Sequence, residues 1–105
     1  CGGTLDGVTL MGPATLEKAI EEQCYSEDLV LGLPVRWGLG FGLTSKDLPV
    51  GPNPRACYWG GWGGSVVVMD LDARFAFSYV MNKMSMGLVG GPTGFAVLNA
   101  FFEAL

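Results

Sequence analysis

The sequence predicts an α+β domain, an antiparallel sheet flanked by helices. Three observations carry this. Residues 35–43 alternate strictly between apolar side chains and glycine or arginine. Residues 65–69 and 75–81 are two apolar runs rich in β-branched and aromatic residues, joined by a short acidic turn. Both ends of the chain carry apolar residues at the helical period. Three antiparallel strands with a helix at either end form a layered α+β arrangement.

Taken in order, residues 1–11 predict a loop with a short hairpin, because Gly2-Gly3 and Asp6-Gly7 are turn signals around Leu5, Val8 and Leu10. Gly12-Pro13 opens a helix over residues 13–24, with Pro13 suited to its first position. Leu16, Ala19, Ile20 and Cys24 form its apolar stripe, and Glu17, Lys18, Glu21 and Glu22 face water. In the strand over 35–43, Val35, Trp37, Leu39, Phe41 and Leu43 share one face, and Gly38, Gly40 and Gly42 fall on the other. Glycines in a strand mark close backbone approach, so that face is expected to press against something bulky. Residues 44–56, with three prolines and Asn53, read as a loop. The hairpin over 65–81 predicts strands buried on both faces, with Asp70 and Asp72 in a solvated turn. Trp37, Phe41, Phe75, Phe77 and Tyr79 read as core, and Met81, Met84 and Met86 as gap fillers near the sheet margin. A glycine-rich connection follows, then a helix over 93–105 with Leu98, Phe101, Phe102 and Leu105 on its apolar face.

Half of the 105 residues are apolar and only 15% are charged, against roughly 25% charged in ordinary soluble domains. A small chain has a large surface relative to its core and should be more polar than average, not less. The excess is expected where apolar surface is covered by protein outside this chain. The first residue is Cys1 and not Met, which agrees with a processed or partial chain. A membrane span needs about 20 apolar residues in a row, and no stretch comes near that length. The net charge of −4 and the scatter of the six basic residues argue against a nucleic-acid partner, whose phosphates need clustered lysine and arginine. Histidine is absent, so neither a Ser-His-Asp triad nor a histidine zinc site can be completed here, and no metal or cofactor is implied. Cys1, Cys24 and Cys57 are odd in number and lack Cys-x-x-Cys spacing. Free or buried thiols in a reducing compartment suit that pattern, which favours the cytoplasm.

The segment that bears on chemistry is Tyr58-Trp59-Gly60-Gly61-Trp62-Gly63-Gly64-Ser65. Two glycine pairs at the mouth of a buried strand leave backbone N–H groups open to a ligand, because no side chain projects from their Cα atoms. An N–H aimed at a developing oxyanion contributes roughly 3–4 kcal/mol in acyl transfer. Glycine-rich entries to strands ordinarily serve turns, bulges or tight packing, so the octapeptide alone favours a structural role.

Most of the chain resembles the C-terminal region of the β-lactamase-related serine hydrolases: class C β-lactamases, DD-peptidases, family VIII carboxylesterases and related fungal acyltransferases. The stretches GGTLDGVTLMGPATLEKAIEEQ, WGLGFGL, YWGGWGGSVVVMDLDARFAFSYVMNKM and GFAVLNAFFEAL carry the resemblance, in order. It implies the C-terminal part of the β-lactamase/DD-peptidase-like fold over residues 1–105, the N-terminal part with the nucleophile lying outside this chain. In that family a third motif lies on the strand beside the nucleophile, Lys-Thr-Gly in many β-lactamases and Trp-Gly-Gly in some esterase-like members. Here Trp59-Gly60-Gly61 resembles it. The resemblance then implies that the Trp62 N–H is an oxyanion donor and that Trp59, Gly60 and Gly61 shape the acyl pocket. An indole replaces the cation that would pair with a substrate carboxylate, so neutral esters or amides are expected over penicillins. No Ser-x-x-Lys and no Tyr-x-Asn occurs in the chain, so it holds no catalytic nucleophile of its own. Part of a hydrolase acting through an acyl-serine is the leading reading; a non-catalytic scaffold and an acyltransferase of the same family are the alternatives.

Overall fold

The computed structural model describes residues 2–104. The expected opening hairpin is present: β1 (Thr4–Leu5) pairs antiparallel with β2 (Val8–Thr9) around Asp6-Gly7. Helix α1 (Pro13–Ala19) begins with proline in its first turn, as expected, but ends five residues short of Cys24. The sheet captures the chain there. The Gln23 N–H donates to the Trp37 carbonyl at 2.7 Å, and the Leu39 N–H donates to the last α1 carbonyl, Ala19, at 2.8 Å. Cys24 then opens a strand, which the acidic sequence Ser26-Glu27-Asp28 disguised as a helix exit.

One six-stranded antiparallel sheet follows, its strands in chain order: β3 (Cys24–Asp28), β4 (Leu33–Trp37), β5 (Gly42–Leu43), β6 (Ala56–Gly60), β7 (Val66–Asp70) and β8 (Phe75–Tyr79). The expected three strands are thus six. The β3–β4 turn is closed by the Asp28 carboxylate, which accepts from the N–H groups of Val30 and Leu31, each at 2.9 Å. Those bonds, Leu31 first, hold the Asp28 carboxyl below its ordinary range.

The alternation over 35–43 does not belong to one strand. A tight turn with Gly38 donating to Phe41 at 2.9 Å interrupts it. Register then places Trp37 opposite Gly42 and Arg36 opposite Leu43. Paired residues share a face, so Val35 and Leu43 lie on opposite faces. The close-approach reading holds at Gly42, where a Cβ would stand 2.4 Å from the Tyr58 ring. The β7–β8 hairpin forms where expected, yet β8 ends the sheet order and its Ala76 and Ser78 are exposed, so burial on both faces fails for β8.

The core lies on one face, under α2 (Gly91–Glu103). Leu98 of α2 meets Val50, Ala56, Tyr58, Val66 and Val68, all buried. Phe75 stacks obliquely on Phe101 and Phe102 with ring centroids 4.9 and 5.2 Å apart, contacts worth about 0.5–1.5 kcal/mol per pair beyond burial. Leu105, expected on the same helix face, lies outside the described residues.

Asp70 is buried and not solvated as expected. It accepts from Asn53 Nδ2 at 2.9 Å and from the N–H groups of Asp72 and Ala73 at 3.0 and 2.8 Å. A buried carboxylate persists only with such partners, and these tie the 44–55 loop to the hairpin turn. Met86, 83% exposed, fills no gap.

The accessible surface is 6704 Å², against about 5,700 Å² for a compact monomer of 11.1 kDa. Much of the surplus is apolar: Leu29 and Val30 at the β3–β4 tip are 98% and 92% exposed. Among the described residues no helix is long and apolar enough to cross a membrane.

Candidate functional site

Strand β6 positions the sequence-predicted residues. The sequence predicts a glycine-rich lead into the next strand here; instead Ala56, Cys57 and Tyr58 are buried, and Trp59 and Gly60 complete a strand between β5 and β7. Gly61 to Ser65 then form the turn into β7. Register sets the directions. Tyr58, Val68 and Phe77 align on the α2 face, while Trp59, Val67 and Ser78 align on the opposite face. Trp59 is half exposed there, and its ring centroid lies 5.7 Å from that of Trp37.

The turn is held from two sides. Within it, the Gly61 N–H donates to the Ser65 carbonyl at 3.1 Å and the Gly64 N–H to the Gly61 carbonyl at 3.2 Å. From the segment after β8, the Gly87 carbonyl accepts from the Gly63 N–H at 3.0 Å, and the Ser85 N–H donates to the Gly63 carbonyl at 3.0 Å. Gly63 and Gly64 have φ of +95° and +110°, a region that L side chains rarely adopt. Between these anchored neighbours, the Trp62 N–H has no acceptor among the described residues.

The chemical capacity of the arrangement is therefore a fixed, unspent N–H donor beside a glycine-lined approach. A shallow depression of about 290 Å³ runs from Trp59, Gly60 and Gly61 over Ser65 and Val67 to Ser78. Cys57, on the same strand, is not set up as a nucleophile. The Cys57 thiol is pushed up to about 11, by burial first and by the charge of Asp70 second, which leaves it an inert core thiol at neutral pH. Burial likewise pushes the Tyr58 hydroxyl up to about 12.

Trp59, Gly60, Gly61 and Trp62 are thus contiguous along one strand end and its turn. The residues that brace them, Ser85, Gly87 and Val89, carry in the sequence only the signature of a glycine-rich connection. Val89 has φ +55°, an outlier for a β-branched residue, and no local sequence signal announces it.

A family model described as Beta-lactamase matches residues 3–96. Two solved structures superpose closely. One, a novel penicillin-binding protein homolog from Caulobacter crescentus, has a TM-score of 0.91 and 36% identity, covering 99% of this chain and 28% of that one. The other, a family VIII carboxylesterase, has a TM-score of 0.89 and 35% identity, with the same two coverages. No curated protein matches the sequence. The chain belongs to the beta-lactamase family, a serine hydrolase-like family. It spans a little over a quarter of the length of these two solved relatives.

Proposed function

We propose that the complete protein is a serine acyl hydrolase of the carboxylesterase type, and that this chain forms one wall of its reactive cleft. The attacking serine comes from outside residues 1–105. Its oxygen adds to the substrate carbonyl, the carbonyl oxygen becomes an oxyanion, and the alcohol departs with the serine proton. Water then adds to the acyl-serine and releases the acid. In both additions the Trp62 N–H donates to the oxyanion, which costs no reorganisation because the flanking residues already hold the turn.

The single observation supporting this reading is the unpartnered Trp62 N–H within a turn whose Gly61, Gly63 and Gly64 amides are all engaged. Trp59 supports the choice of substrate, since its side chain offers one neutral N–H and an apolar face where a substrate carboxylate would need a cation.

The test is a comparison of kcat/KM for p-nitrophenyl butyrate and for nitrocefin with the complete protein. Faster ester hydrolysis is expected. Nitrocefin turned over faster than the ester would overturn the carboxylesterase assignment, and turnover of neither would overturn the hydrolase.

A further inference from the structure

Met81, Met84 and Met86 follow β8 in close succession. Two of them cover the turn that carries the Trp62 N–H. A Cβ built on Gly63 would stand 2.6 Å from the Met84 Cε and 3.1 Å from both the Met84 Cγ and the Met81 Cε. Gly63 is buried under these groups, in space that a side chain of its own would fill. The Met84 sulfur, bonded to both Cγ and Cε, is thus held over the turn, while the residue as a whole is 63% exposed.

A thioether is weakly polar and rests against backbone without needing a hydrogen bond. Its sulfoxide differs. Hydrogen peroxide transfers one oxygen to the sulfur: the O–O bond breaks, the sulfur loses two electrons, and the second oxygen leaves as water. The product carries a strongly polar S–O group. Gly63 has no donor left for it. The Gly63 N–H is spent on the Gly87 carbonyl at 3.0 Å, and the Gly63 carbonyl is itself an acceptor. The sulfinyl group therefore leaves Gly63 for water. Met84 is joined directly to Ser85, whose N–H and Oγ donate to the Gly63 carbonyl at 3.0 and 3.4 Å. Departure of the Met84 side chain thus pulls on the clamp that fixes the turn.

We propose that Met84 is an oxidation site whose sulfoxide unclamps the Gly63 turn, so that peroxide reversibly lowers turnover. The effect on turnover rests on the oxyanion reading above; the loosening of the turn does not. Reduction reverses the step, two thiols becoming a disulfide as the sulfinyl oxygen departs as water.

The complete protein is treated with hydrogen peroxide and mapped by mass spectrometry. Met84 should gain one oxygen, and kcat for p-nitrophenyl butyrate should fall at least about tenfold, as for a small misplacement at a reacting centre. Methionine sulfoxide reductases of both stereospecificities, with dithiothreitol, should restore it. Met84→Leu, close in volume, should keep most of its activity and resist peroxide, while Met86→Leu stays sensitive. Amide hydrogen exchange over residues 61–65 needs no substrate, and should quicken on oxidation of the unaltered protein but not of Met84→Leu. Met86 oxidised with Met84 untouched would show Met84 shielded by the rest of the protein and overturn the site. Unchanged exchange with Met84 oxidised overturns the loosening. An equal loss of turnover in Met84→Leu places the sensitive group elsewhere and overturns the proposal. If no ester is hydrolysed, the hydrolase reading fails by itself, and exchange at the turn still decides whether Met84 controls it.

Discussion

Gly60 lies flat against the backbone of Val89: a Cβ on Gly60 would stand 2.7 Å from the Val89 Cα. The contact joins the end of β6 to the segment before α2, beside the turn that carries the Trp62 N–H. Backbone faces the added methyl, so no side chain can swing aside to admit it. Gly60→Ala should therefore force the strand end and the 87–89 segment apart. A loss of about 1–3 kcal/mol is expected from overpacking, read as a lowered urea midpoint at unchanged slope, with kcat falling more than KM changes.

The oxyanion role proposed for Trp62 depends on its amide and not on its indole. Trp62→Pro deletes that N–H, whereas Trp62→Phe keeps it along with an aromatic wall. The proline variant should lose about 10²–10³ in kcat, and the phenylalanine variant less than about tenfold, with equal circular dichroism showing both folded. Equal activity in the two variants would exclude the amide from the reaction.

Arg74 closes the β7–β8 hairpin at φ +59°. Its side chain is exposed and forms no ion pair among the described residues, the salt bridges of this region belonging to Arg55 with Asp72 and Glu17. Glycine adopts that φ without steric cost. Arg74→Gly should raise stability by about 0.5–1 kcal/mol, net of the added freedom of the unfolded chain, measurable as a higher melting temperature with ester kinetics unaltered.

Cys57 and Tyr58 give stability a defined alkaline dependence. Both are neutral when protonated, and folding raises the thiol from 9.0 to about 11 and the phenol from 10.0 to about 12. The folded state thus holds these protons more tightly than the unfolded chain. Their contribution is complete below pH 9, then is lost as pH rises, first toward 11 for Cys57 and next toward 12 for Tyr58. Urea midpoints measured from pH 8 to 11 should fall from about pH 9 upward, and Cys57→Ala should flatten the first part of the fall. At pH 8, iodoacetamide should leave Cys57 unmodified until the protein is unfolded.

Much of the architecture was legible because periodicity reports burial. The β7–β8 hairpin, α2 and the opening hairpin are all local patterns read from neighbours in sequence. What escaped was set by distant partners. Nothing in residues 20–24 says that Gln23 donates to Trp37, so the helical period runs past the true end of α1. Alternation over 35–43 hid a turn because glycine suits a turn as well as a packed strand. Asp70 looked like a solvated turn residue because its partner Asn53 lies in a different loop. The site shows the same division: Trp59 to Trp62 stand out as a glycine–tryptophan cluster, while Ser85, Gly87 and Val89 brace them across the fold.

Among the described residues α2 covers one side of the sheet; on the other, Trp59, Ala76 and Ser78 stand in the open. Under the proposed function, a reactive centre assembled there is a seam between this chain and the part of the protein that supplies the serine. Its integrity depends on how firmly they dock. Seams of this kind part before either half melts, so gentle heating or low urea should silence turnover while the six strands remain folded.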